Sequence, residues 1–164
     1  MLTEVRQPCP FPRISICPCT RDRTLARWRI EVVHEALSWL GTPYHHAAGI
    51  KHAGVDCAFF LIRVYEASGL VSGVDPRPYP QDWHLHRDEE RYLGWVKCYC
   101  QPTNKALPGD IALYRFGRAV SHGAVVIDWP ILCHSVIRHG VILSDGSQPE
   151  WATRFAGFWR LDLA

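Results

Sequence analysis

The chain has 164 residues, 48% of them hydrophobic and 21% charged, which is enough apolar material for a single packed domain. Its 18 basic and 16 acidic side chains leave a formal net charge of +2, too small to argue for nucleic acid or an anionic membrane as partner. No apolar run approaches the roughly 20 residues of a membrane span.

Residues 1–22 are rich in proline and cysteine, show no periodicity, and are expected to form an extended leader ahead of a domain over 23–164. The opening MLTEVRQPCPFPRISICPCT has no apolar core segment of the secretory type, so synthesis in the cytoplasm without a signal peptide is expected. Leu25, Trp28, Val32, Val33, Ala36, Leu37 and Leu40 recur at steps of three and four, which predicts a helix over 24–40 closed by Gly41 and Pro43. The loop GTPYHHAAGIKHAGV follows. Asp56 then has the character of an N-cap, and CAFFLIRVYEAS reads as a buried helix stopped by Gly69.

Residues 70–83 form a loop punctuated by Pro76, Pro78 and Pro80. LHRDEERYLGWVKCY (85–99) reads as a polar, exposed helix, and Leu107–Asp110 as a turn. The period then changes. IALYRF, HGAVVID, ILCHSVI, GVILSD and FAGFWRLDL are short, β-branched or aromatic, and separated by turn residues. Helices first and strands second predict an α+β domain.

One pattern bears on chemistry. Cys57 sits where the buried helix begins, and the unpaired N–H groups and dipole of a helix N-terminus favour a thiolate over a thiol. The same N–H groups can receive the oxyanion formed when a carbonyl is attacked. A thiolate also needs an imidazole to exchange its proton. His122 opens one predicted strand and His134 lies on the next, so paired strands bring the two rings together and let His134 orient His122. Singly, each residue has a plainer explanation: a cysteine on an apolar helix is more often packing, and a strand histidine more often structural.

Other features have plainer readings still. There are seven cysteines, and the odd number leaves at least one thiol unpaired; most are expected to be reduced. Cys17 and Cys19, and Cys98 and Cys100, have one-residue gaps, which fit poorly with zinc even with His84 and His86 nearby, so neither a metal nor another cofactor is expected. His45, His46 and His52 flank the proposed cleft, with solvation the plainer role. Trp83, Trp95, Trp129, Trp151 and Trp159 suggest a sugar-stacking surface, although core packing explains most of them.

The run WLGTPYHHAAGIKHAGVDCAFFLIRVYEASGL resembles the first half of the NlpC/P60 signature, in which a G-T-P-Y loop leads to Asp-Cys at a helix start. LPGDIALYRF followed by SHGAVVI resembles the second half, and His134 falls at the third polar position. The likeness spans residues 39–136. It implies a papain-like fold, with N-terminal helices packed on a small antiparallel sheet. The activity it implies is cleavage of peptide bonds in peptidoglycan stems. Cys57 is then the nucleophile, His122 the base and His134 the orienter. Tyr44 places its hydroxyl near the thiol, helping to hold oxyanion or substrate, and Asp56 recognises the substrate's free amine. PRPYPQDWHLHRDEERYLGW further resembles the phage-encoded branch of the family, the tail and cell-wall peptidases of phages and gene transfer agents. This implies a place in a phage-like tail, acting on the host cell wall beside other tail proteins. One departure stands out. Where the family commonly has Ser then Gly after the cysteine, this chain has Ala58 and Phe59. That departure leaves open a structural tail-tip protein with a little-used or inactive site. Acyl transfer uses the same thiol with a different acceptor.

Overall fold

The computed structural model describes residues 21–80 and 90–163. The expected leader lies outside them apart from its last two residues, which already belong to the first helix. Trp83, His84 and His86 lie outside them as well, as do Cys17 and Cys19.

Helix α1 runs Arg21–Ser38 and buries Trp28, Val32 and Ala36 on one stripe, with Trp39 just beyond it. It stops two residues earlier than the apolar spacing predicts. Trp39 and Leu40 close back on Ala36 and Leu37 through i→i−3 bonds of 3.2 Å, the tighter turn common at helix ends. The loop that follows contains a hairpin of two-residue strands, β1 (Gly49–Ile50) and β2 (Gly54–Val55), too short for any sequence pattern to announce. Helix α2 (Cys57–Ala67) buries Phe59, Phe60, Leu61, Val64 and Tyr65, as its apolar composition demands. Helix α3 (Arg91–Tyr99) ends where the sequence indicates, but it is not merely an exposed helix: Val96 is buried in the core.

With β1 and β2 the described residues hold eight strands, the others being β3 (Cys100–Thr103), β4 (Ile111–Phe116), β5 (Ala119–Asp128), β6 (Ile131–Val136), β7 (Gly140–Asp145) and β8 (Phe155–Leu161), with a short helix α4 (Pro149–Ala152) before β8. Six of them form one antiparallel sheet in the order β3-β8-β4-β5-β6-β7. Strand β3 was not expected. It is a four-residue edge strand that contains Pro102, and a sheet edge is the position that tolerates a residue without an N–H. The fold is α+β and papain-like, helices on an antiparallel sheet.

Alternation along the strands divides the core in two. Leu113, Val125 and Cys133 face α1 and α2. Tyr114, Ala124, Val126 and Leu132 face the other way and are covered by Trp151 of α4. Buried Asp110, from the Pro-Gly-Asp turn, ties the layers together: it accepts from Arg29 of α1 at 2.9 Å and from Arg160 of β8 at 2.8 Å. Among the described residues no helix is long and apolar enough to cross a membrane.

Candidate active site

Asp56 caps α2. Its Oδ1 accepts from the N–H of Ala58 at 3.1 Å and of Phe59 at 2.9 Å. This leaves Cys57 as the first helical residue, with its own N–H unused by the helix. Strand β5 approaches the sulfur from the sheet. It starts at Ala119, so His122 is its fourth residue and not its first. Tyr114 pairs with His122 and Arg115 with Val120, so Ser121 is bulged out of the ladder immediately before His122. Glu90 clamps this irregularity, accepting from Val120 N–H at 2.9 Å and pairing with Arg115 at 2.8 Å. Bulges re-aim groups at such places. Here the Ser121 carbonyl lies 3.6 Å from Cys57 Sγ and accepts its weak hydrogen bond, while the N–H of Gly123 turns toward the sulfur from the other side of His122.

Gly123 has a packing reason to be glycine. A Cβ there would stand 2.7 Å from Leu61 Cδ1 and 2.7 Å from the Tyr92 hydroxyl. Its absence lets α2 and α3 close on the strand, and Tyr92 then donates to the Cys57 carbonyl at 3.3 Å.

His122 and His134 meet as the strand pattern implies. His122 Nε2 and His134 Nδ1 are 2.8 Å apart, and His134 Nε2 is 2.8 Å from Ser144 Oγ on β7. Trp151 stacks on the His122 ring, with centroids 5.6 Å apart and planes at 27°, and meets His134 edge-on at 4.5 Å. Both rings are buried, and burial lowers both pKa values: His134 to about 4, and His122 well below the usual imidazole range, with His134 adding to the effect. The pair is therefore neutral at pH 7.

The thiol behaves differently from the expectation drawn from its helix terminus. Burial, and then the neighbouring Asp56 carboxylate, push its pKa well up, against the opposing pull of the N–H groups of Cys57, Ala58 and Gly123. The resting site thus holds a neutral thiol beside a neutral imidazole. No thiol–imidazole hydrogen bond forms among the described residues, a contact that in such sites often tightens only with substrate bound. The sulfur does open into the same cavity as His122, a space of about 240 Å³ that Tyr44, Tyr79 and Trp95 also line.

Tyr44 reaches this cavity because the loop before α2 is tied to β2: Val55 N–H donates to Pro43 at 3.0 Å and His45 N–H to Val55 at 3.3 Å. Burial, with the Asp56 carboxylate nearby, raises the pKa of its hydroxyl and keeps it protonated. Asp56 lines the cavity too, but its carboxylate is fully used. Oδ2 accepts from Ala47 N–H at 2.8 Å and from the Tyr79 hydroxyl at 2.5 Å. His46 is part of the wall, its Nε2–H donating to the Tyr79 carbonyl at 2.9 Å, so solvation does not describe it. Of the tryptophans singled out, Trp151 and Trp159 are core, whereas Trp129 is partly exposed and packs edge-on against Phe158 at 4.7 Å. Cys57, Cys100 and Cys133 are free thiols.

Tyr79, Tyr92 and Ser144 contact the site without having been indicated by the sequence, and Trp151, read there as core or sugar-stacking, packs against both imidazoles. Ser144 alone left a trace: it lies on the strand next to His134, in a hairpin whose short turn limits the register.

The NlpC/P60 family model matches residues 41–160. The chain belongs to the NlpC/P60 family. Solved structures agree on the fold. A lipoprotein-like NLP/P60 protein from Staphylococcus aureus superposes with a TM-score of 0.59 at 19% identity, over 91% of this chain and 43% of that one. The peptidoglycan hydrolase RipB of Mycobacterium tuberculosis gives 0.57 at 16% identity, over 90% of this chain and 68% of that one. RipD of the same organism, described as a non-catalytic domain adapted to peptidoglycan binding, gives 0.53 at 14%, over 80% of this chain and 95% of that one. This chain therefore spans about two-fifths of the S. aureus protein. A search of curated protein sequences finds no significant match.

The Ala58–Phe59 departure from the usual Ser-Gly has a structural counterpart. Phe59 is buried, and Gly49 makes room for it, since a Cβ on Gly49 would stand 2.9 Å from the ring. The guanidinium groups of Arg63 and Arg77 lie over the same ring at 5.5 and 5.3 Å. Phe59 thus holds the segment that delivers Tyr79 to Asp56, while Ala58 puts a methyl group on the cavity wall where the usual serine would put a hydroxyl.

Proposed function

We propose that this chain is a cysteine peptidase that cleaves peptide bonds in the stem peptides of bacterial peptidoglycan. One observation carries the reading: the thiol at the first turn of α2 lines the same cavity as His122, whose ring is held by buried His134. His122 uses Nε2 toward His134, so Nδ1 is the nitrogen left to accept the thiol proton. Sulfur attacks the scissile carbonyl carbon as that proton moves to His122. The oxyanion is met by backbone N–H at the helix start, with the Tyr44 hydroxyl as a further donor. Collapse expels the amine, which takes the proton from His122 and leaves a thioester. Water, deprotonated by the same imidazole, releases the acid and restores the thiol. Because both resting groups are neutral, proton transfer accompanies attack and no standing ion pair is required. Asp56 acts in this scheme first as the cap that sets Cys57 in place; contact with a substrate amine requires the Tyr79 hydroxyl to give way.

The test is mass spectrometry of purified peptidoglycan digested by wild type and by Cys57→Ala. Wild type releases stem-peptide fragments and the variant releases none; equal release from both refutes the mechanism.

We further propose that the enzyme works within a phage-like tail, made in the cytoplasm and delivered to the cell wall with other tail proteins. The likeness of residues 76–95 to phage-encoded members supports this. Purified tail particles that lack the chain would refute it. A second reading, a structural or peptidoglycan-binding tail protein without turnover, draws on the neutral resting thiol, on Ala58 and on the non-catalytic character of RipD. It predicts that wild type and Cys57→Ala bind peptidoglycan equally and that neither releases fragments.

A further inference from the structure

Four atoms on three neighbouring strands form a line: His122 Nε2 to His134 Nδ1 at 2.8 Å, then His134 Nε2 to Ser144 Oγ at 2.8 Å. Each contact needs one donor and one acceptor, so a single choice at one end fixes every proton along the line. If Ser144 accepts, His134 carries its proton on Nε2, its Nδ1 accepts, and His122 carries its proton on Nε2. His122 Nδ1 is then bare and able to take a proton. If Ser144 donates, the order reverses. His134 is protonated on Nδ1, His122 on Nδ1, and His122 has no free lone pair for the thiol.

We propose that Ser144 is a positioning residue that sets this direction, accepting from His134 and so keeping His122 as the Nε2–H tautomer with Nδ1 free to serve as base. Ser144 is able to do so because it is half-buried on β7, the edge of the sheet, where its own proton can go to water while its lone pair faces inward. Burial keeps both rings neutral, so the line is decided by tautomers and not by charge. Trp151 packs against both rings and denies them other orientations. The catalytic consequence rests on the peptidase reading, but the tautomers do not.

The experiment is long-range 1H–15N correlation NMR on 15N-histidine-labelled full-length chain, alongside kcat and KM for release of stem-peptide fragments. Wild type is expected to show His122 and His134 both as Nε2–H. In Ser144→Ala the Nε2–H population of His134 falls and kcat drops about tenfold, the scale of one neutral hydrogen bond, with KM unchanged. Ser144→Thr restores both. Nδ1–H on either ring in wild type overturns the proposal, as does a Ser144→Ala variant identical to wild type in tautomers and kcat. Wild type with the expected tautomers and no fragment release sustains the proton order and removes the peptidase reading instead.

Discussion

Asp56 serves two ends that pull against each other, and replacing it with asparagine separates them. In the native chain Oδ1 takes two backbone N–H groups of α2, while Oδ2 takes the Ala47 N–H and the Tyr79 hydroxyl. Asp56→Asn retains the Oδ1 cap but puts an NH2 where Oδ2 was. The Tyr79 hydroxyl can turn and accept from it; the Ala47 N–H cannot. Flipping the amide is worse, because it confronts two N–H groups instead of one. One orphaned, buried donor costs about 1–3 kcal/mol, and in a domain of this size each kcal/mol lowers Tm by about 2–4 °C. A fall of about 4–8 °C is expected for a cost of about 2 kcal/mol, read by thermal unfolding. The same substitution removes the negative charge that helps to hold the Cys57 thiol protonated, so its pKa falls. The variant is less stable, yet its Cys57 is alkylated faster at fixed pH. Peptide mass spectrometry of iodoacetamide-treated native protein follows Cys57 individually. Cys133, fully buried in the core, serves as the control for unfolding. Slower or unchanged Cys57 labelling, or labelling that rises only in step with Cys133, would refute the claim that the carboxylate holds the thiol neutral.

Two further outcomes follow from the packing and the titration of the site. Gly123→Ala puts a methyl carbon 2.7 Å from Leu61 and Tyr92, so either side chain must retreat; a net loss of about 1–3 kcal/mol by urea unfolding is expected, with weakened peptide release because the start of α2 is displaced from β5. His134 is held neutral in the fold with its pKa lowered from 6.5 to about 4. The unfolded chain binds its proton first as pH falls, so stability is full above about pH 6.5 and is lost toward pH 4. That single histidine accounts for a loss of about 3 kcal/mol. Urea midpoints at pH 7.5 and 4.5 should show a difference that shrinks in His134→Asn.

Much of this was visible in the order of residues. Side-chain period separated helices from strands, Asp56 and Gly69 bracketed α2, and the spacing of Cys57, His122 and His134 announced a thiol and two imidazoles. Strand boundaries were harder. The extension of β5 back to Ala119 comes from pairing with β4, and the bulge at Ser121 from a mismatch between two strands, neither of which is a property of one segment.

What the sequence determined by itself were local matters: which stretches bury one face, where a helix begins, and which residue types stand ready for proton and acyl transfer. Only tertiary structure decided the state of those groups. The same helix start that favours a thiolate lies buried beside a carboxylate, and the desolvation outweighs the dipole. Ser144, Trp151 and Tyr79 enter the site from segments distant in the chain, brought there by sheet register and loop path. Desolvation and charge coupling depend on what surrounds an atom in space, and one-dimensional order carries that information only through the fold it specifies.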